Sequence, residues 1–148
     1  MTIVLRLALA ALAINELVVG AWNQFAPASF YENFPTVELT PPFSEHYARD
    51  FGGATLGIAV LLVVAFARPR GGFVLPAGIA YTVFSVPHFV FHAAHLDHAT
   101  TAEAAFLIAG NGVALLLGVL VIVFAVLRMR RDRRTGSADP GIRHPAVG

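Results

Sequence analysis

Four long apolar stretches alternate with short polar breaks along the chain. They cover residues 3–22, 47–67, 73–96 and 102–127, to within a few positions at each end. A helix that rises 1.5 Å per residue needs about 20 mostly apolar residues to cross a bilayer. The pattern therefore predicts an all-α fold, a polytopic four-helix membrane bundle that occupies residues 1–127 as one transmembrane domain.

The breaks between the stretches carry residues that stop helices. Pro69 and the pair Gly71–Gly72 follow the second stretch, and the polar turn 97–101 separates the third from the fourth. Residues 128–148 are polar and rich in Arg, Gly and Pro, so we predict a basic, disordered tail there.

Arginine is distributed unevenly and predicts the orientation. Arg68 and Arg70 lie between the second and third stretches, and five more arginines lie within residues 128–134. Short loops rich in Arg stay in the cytoplasm, which places both termini inside. Segment 23–46 would then lie outside. A cleaved signal peptide is the alternative for residues 3–22, but the length of that stretch and its Glu16 favour a membrane span.

Composition agrees with a membrane domain and excludes several kinds of chemistry. Hydrophobic residues make up 57% of the chain, charged residues 13%, and the mean hydropathy is +0.70. The sequence has neither Cys nor Lys, which excludes disulfides, thiolate metal sites and lysine Schiff bases. The expected partner is the lipid bilayer, because the chain is apolar. The formal net charge of only +1 argues against nucleic acid as a partner.

The ionisable residues of the stretches fall toward the predicted outer side. A charge at the bilayer centre costs about 2.5 to 3.5 kcal/mol on insertion scales, so each such residue is expected to have a structural or functional role. We predict a ligand pocket formed by Glu16, Glu45, His46, Arg49, Asp50, Glu103 and Asn111. The inner halves lack ionisable residues, which argues against conduction through this chain.

Three histidines form a stripe on the third stretch. His88, His92 and His95 fall within about 60° of one another at 100° per residue. Neutral imidazole and carboxylate suit zinc, copper or non-haem iron, so the stripe is the candidate metal site. Two imidazoles from different helices, such as His46 and one of the stripe, could hold a haem instead.

Two further interpretations of these polar residues stay open. They could form a hydrogen-bonded network that locks the helices together, or line a pocket for a small organic or lipid-like ligand. Glu16 lies too deep for its side chain to reach water, so it is either protonated or paired with Arg49 or a histidine. We favour pairing.

Several sequence runs carry a resemblance. They are Asn15–Glu16 followed by Gly20-Ala21-Trp22, FYENFP at 30–35, PPFSEHYARDFG at 41–52 and PHFVFHAAH at 87–95. In these runs the chain resembles small four-span integral membrane proteins of actinobacteria that are DoxX-like in size and architecture. The resemblance implies the fold and a bacterial inner (plasma) membrane location, and it supplies no reaction.

Together these observations give two functional hypotheses. The first is a membrane protein, alone or as a homo-oligomer, whose outward-facing pocket binds a metal or small ligand. The second is a non-catalytic accessory or structural subunit that docks onto a larger membrane complex.

Overall fold

The structure is a computed structural model that describes residues 2–39 and 42–136. Its helices are α1 (Thr2–Phe25), α2 (Pro27–Asn33), α3 (Glu45–Ala67), α4 (Gly71–Ala94) and α5 (Thr101–Gly136), with a short 3-10 turn at Val37–Leu39. No strand occurs within these residues. All the helices except α2 are long and apolar enough to cross a membrane. The prediction of an all-α membrane helical bundle is confirmed.

The four long helices pack as two close pairs. α1 lies along α3 and α4 lies along α5, while contacts of α3 with α4 and of α1 with α5 join the pairs. One cluster of buried side chains fills the half of the bundle nearest the start of α1; it includes Leu5, Leu9, Leu12, Leu62, Val74, Tyr81 and Val121. Lipid tails are as apolar as these side chains, so close packing rather than removal from water holds the helices together.

Glycine allows α1 and α3 to approach closely. A Cβ added at Gly20 would lie 2.6 Å from the Thr55 hydroxyl, and one at Gly52 would lie 2.6 Å from the Gln24 backbone nitrogen. Gly53 and Gly57 have the four-residue spacing of small residues that lets helices approach closely in lipid, and the sequence alone predicts them for this role. That prediction is wrong, because a Cβ at Gly57 meets nothing within 4 Å. The buried face of α3 is the stripe Gly52, Thr55, Ala59, Leu62 and Ala65.

Helix α5 continues beyond the predicted boundary at residue 127. It is helical to Gly136, so residues 128–136 are not the disordered segment that the composition suggested. Arg128 fixes this extension by donating a 2.6 Å hydrogen bond to the Pro69 carbonyl in the turn between α3 and α4. The rest of the predicted tail, residues 137–148, lies outside the described residues.

Opposite charges lie at the two ends of the bundle. Arg68, Arg70 and the arginines of the α5 extension lie at one end, here called the basic end. The other end, here called the acidic end, carries α2, the start of α3 and the turn from α4 to α5, with Glu32, Asp97 and Glu103. This distribution agrees with the Arg asymmetry of the sequence, and the orientation with both termini inside stays a prediction.

Candidate functional site

A cavity of about 670 Å³ lies in the half of the bundle nearest the acidic end. All four long helices contribute to its wall, and residues of α2 and of segments 34–37 and 42–44 form its cover at the acidic end. Four of the residues singled out from the sequence line it: Glu16 of α1, His88 and His92 of α4, and Asn111 of α5. The buried apolar cluster, of which Tyr81 is a member, closes the cavity toward the basic end.

Glu16 is the one carboxyl group among the described residues of the cavity wall, and it is buried. Only 2% of the residue is exposed. Its Oε1 accepts a 3.1 Å hydrogen bond from Asn15 Nδ2, while its Oε2 has no hydrogen-bond partner among the described residues. No cationic side chain of the described chain forms a salt bridge with it, so the expected pairing with Arg49 or a histidine is wrong.

Arg49 is engaged elsewhere, which explains the missing pair. Its guanidinium contacts the Glu45 carboxylate at 2.8 Å and donates to the Gln24 carbonyl of α1. Gln24 lies eight residues beyond Glu16 on the same helix, which is about 12 Å along the axis. Arg49 therefore anchors the start of α3 to the end of α1, nearer the acidic end than Glu16.

Four other polar side chains of the cavity wall form hydrogen bonds within their own helices. Asn23 donates to the Val19 carbonyl at 2.9 Å and Asn111 donates to the Leu107 carbonyl at 3.0 Å. Thr55 and Ser85 likewise bond to carbonyls three or four residues earlier. These bonds do not link one helix to another, so they do not form the interhelical network that was one interpretation of the sequence.

The histidine stripe does not converge on a point. The rings of His88 and His92 meet edge to face with centroids 4.6 Å apart. His95 is exposed and turned away: its ring stacks on Phe91 at 4.2 Å, and its Nδ1 lies 2.8 Å from the Phe91 carbonyl oxygen. Within residues 2–39 and 42–136, no three His, Asp or Glu side chains are placed to hold one metal ion. The metal and haem interpretations gain no support from this geometry.

The remaining predicted pocket residues lie outside the cavity wall. His46 lies 3.4 Å from Asp50, and Glu45 pairs with Arg49, each along the first turns of α3 and largely exposed. Their i,i+4 spacing lets each pair close on its own helix. Glu103 caps α5, since its Oε2 accepts hydrogen bonds from the Thr100 backbone nitrogen at 2.7 Å and from the Thr100 hydroxyl at 2.8 Å.

Aromatic rings form most of the rest of the wall. On the bundle side Phe84 stacks on His88 with centroids 5.3 Å apart, and Phe51 of α3 contacts both rings. On the covering side Phe30 stacks on Phe34 at 4.7 Å, and the Trp22 ring packs edge-on against Phe30. Phe84, His88 and His92 recur every fourth residue, and this spacing is the signal in the sequence that could have identified Phe84.

Part of the cavity wall contributed by α1 and α5 is also exposed on the outside of the bundle. Asn15, Phe106 and Gly110 line the cavity and are also exposed. In the other half of the bundle, Leu9 and Val121 of the same two helices are fully buried in one cluster. The two helices therefore share a buried cluster near the basic end, whereas beside the cavity each of them has wall residues that are exposed within its apolar segment.

Comparison of the chain with protein-family models, with curated proteins and with solved structures found no match. The interpretation of the cavity therefore rests on its own residues.

Proposed function

We propose that this multi-pass membrane protein binds a small amphipathic organic molecule in the cavity at the acidic end. The observation that carries the proposal is the combination of a ring-lined cavity with a buried carboxyl oxygen, Glu16 Oε2, that no described residue satisfies. A buried polar atom without a hydrogen bond is unfavourable by about 1 to 3 kcal/mol, and a ligand group placed beside it would remove that cost.

The size and chemistry of the cavity support this choice over a metal site. Pockets for small organic molecules usually measure about 300 to 1,000 Å³ and combine apolar walls with a few polar groups. The cavity, at about 670 Å³, fits that description. A transition metal needs several converging ligands, and the part of the chain that the structure describes offers no such group.

The exposed wall residues of α1 and α5 support entry from the bilayer. Phe106 and Gly110 lie inside an apolar membrane-spanning segment, so a molecule dissolved in the lipid could reach the cavity without crossing the aromatic cover. With the basic end in the cytoplasm, the cavity lies in the outer leaflet. The resemblance to four-span actinobacterial proteins favours a bacterial inner membrane.

The proposal can be tested by filling the cavity. Gly110 lines it, and an added Cβ there meets nothing within 4 Å, so Gly110→Phe should place a ring in the cavity without displacing a helix. Gly57→Phe is the matched control, because Gly57 is equally unobstructed but lies away from the cavity wall.

Trp22 supplies the signal because it is the only tryptophan and contacts Phe30 and Phe34 of the cavity cover. A brominated probe, para-bromobenzyl alcohol, should quench its fluorescence saturably in the wild type and in Gly57→Phe, and lose saturable quenching in Gly110→Phe. Equal quenching in both variants would mean that the probe dissolves in the lipid or detergent and does not occupy the cavity.

A further inference from the structure

We infer that the cavity is selective for an amphipathic organic cation, whose ammonium group lies against Glu16 and whose apolar body lies against the rings of α3 and α4. This inference rests on the proposed function and names the class of its ligand. It follows from the charge of the cavity wall, from its rings and from its access route.

Glu16 is the only Asp, Glu or Arg among the described residues of the cavity wall. Burial favours the neutral form of an unpaired carboxyl group, and Asn15 supplies one hydrogen bond to Oε1 only. A cation bound beside Glu16 would stabilise the ionised form. Arg49, the partner expected from the sequence, is committed to Glu45 and Gln24. A positively charged ligand would supply the partner that the described chain lacks.

The rings of the wall favour the same charge. The negative face of an aromatic ring attracts a cation within about 6 Å of its centroid, and rings combined with a carboxylate are the usual surroundings of a bound ammonium group. Tyr81 lines the cavity together with Glu16, and Phe51 and Phe84 follow toward the cover. An anionic ligand would meet no Arg in this wall and would be repelled by Glu16.

A molecule that enters from the lipid between α1 and α5 would first meet a polar side chain. Asn15 is exposed there and hydrogen-bonded to Glu16, so a charged head group that enters from the bilayer meets an amide before it reaches the carboxyl group. An amphiphile can keep its apolar body in the lipid while its head group enters. A strongly hydrated inorganic cation would have to shed its water between two apolar helices, which is unfavourable.

Two isosteric probes separate the ligand class from the existence of the pocket. The first is para-bromobenzyl trimethylammonium, and the second is para-bromo-neopentylbenzene, in which a carbon atom replaces the charged nitrogen. Both are titrated against Trp22 fluorescence in the full-length protein in nanodiscs at pH 8, where imidazole side chains are largely neutral and add little positive charge. The wild type should bind the cation more tightly than the neutral isostere.

Glu16→Gln provides the decisive comparison, because it keeps the shape and the hydrogen bond with Asn15 while removing the charge. We expect it to lower the affinity for the cationic probe by roughly tenfold or more, because a charge-assisted contact is replaced by a neutral one. The affinity for the neutral probe should change by less than about twofold. Glu32→Gln, which replaces an exposed carboxylate outside the cavity wall, should change the binding of neither probe.

The possible results distinguish the two proposals. Saturable binding of both probes with equal affinity, unchanged in Glu16→Gln, would overturn the inference of a cationic ligand. The proposal that the cavity binds a small organic molecule would still hold. Failure of both probes to quench saturably would overturn the pocket as well. If Glu16→Gln does not fold, Glu16→Asp can replace it, since it keeps the charge but moves it back by one methylene group. It should lower the affinity for the cationic probe and leave that for the neutral probe unchanged. An equal effect on both affinities would contradict the inference.

Discussion

Gly52 of α3 lies against the backbone of Gly20 of α1, so that a Cβ added to Gly52 would stand 2.8 Å from the Gly20 carbonyl oxygen. Backbone atoms cannot rotate away as a side chain can, so Gly52→Ala should push the two helices apart. We expect a loss of about 1 to 3 kcal/mol, the usual range for overpacking, seen as a lower midpoint of thermal unfolding in detergent.

Gly57→Ala is the control for this experiment because its Cβ would meet nothing within 4 Å. Alanine also has the higher helix propensity, so this variant should be as stable as the wild type or slightly more stable. Equal destabilisation by the two substitutions would mean that α1 and α3 do not pack through Gly52.

Arg49→Gln should loosen the acidic end. Arg49 donates from α3 to the Gln24 carbonyl of α1, and this bond ties together two helix ends beside the cavity cover. Because the side chain is 42% exposed, we expect a modest loss of about 1 kcal/mol. Hydrogen exchange should show it as faster exchange at the end of α1. His46→Gln, whose side chain is 79% exposed, should leave that exchange unchanged.

Single cysteines can test the orientation, because the chain has no cysteine of its own. Arg70→Cys and Arg131→Cys lie at the basic end, and Glu32→Cys and Asp97→Cys lie at the acidic end. In intact cells, a membrane-impermeant maleimide should label only the acidic-end pair. The basic-end pair should become reactive when the membrane is permeabilised. Labelling of both pairs before permeabilisation, or of the basic end alone, would contradict the predicted orientation.

His88→Phe should separate a packing role of the histidine stripe from a metal-binding role. The His88 ring stacks on Phe84 and contacts Phe51, and it forms no hydrogen bond with another described residue. Phenylalanine can keep these ring contacts, so we expect unchanged or higher thermal stability. His88→Ala, which removes the ring, should lower it by about 2 kcal/mol or more.

Elemental analysis of the same preparations completes this test. If His88 ligates a metal, both variants should lose bound zinc, copper or iron together, and His88→Phe should be as unstable as His88→Ala. A packing role predicts that only His88→Ala loses stability and that metal content is the same in the wild type and both variants.

The sequence by itself determined the number, the order and the approximate positions of the membrane helices. Hydropathy over about 20 residues is a property of one segment, and it favours insertion into the bilayer whichever helices the segment then packs against. The stop at Pro69 is equally local, since the Arg68 backbone nitrogen closes the last turn of α3 on the Val64 carbonyl four residues earlier. Glu103 also makes a local contact, with Thr100, but its acidic side chain led us to assign it to the pocket. The segregation of arginine to one end also followed from chain order alone.

Only the tertiary structure decided which side of each helix faces the centre. On α3, the stripes that begin at Gly52 and Gly53 differ by one residue, which is a rotation of 100°. Periodicity in the sequence could not choose between them; the close fit of Gly52 against Gly20 did. That rotation places Thr55 in the cavity and turns His46 and Asp50 outward.

The same reason explains why the cavity was only partly foreseen. Glu16, His88, His92 and Asn111 were recognised because each lies on the inward stripe of its own helix. Whether Arg49 would reach Glu16 depended on how α3 is offset along α1, and contacts between the helices set that offset. Such contacts join residues far apart in the chain, so the sequence pattern of a single helix could not reveal that Glu16 would be left without a cation.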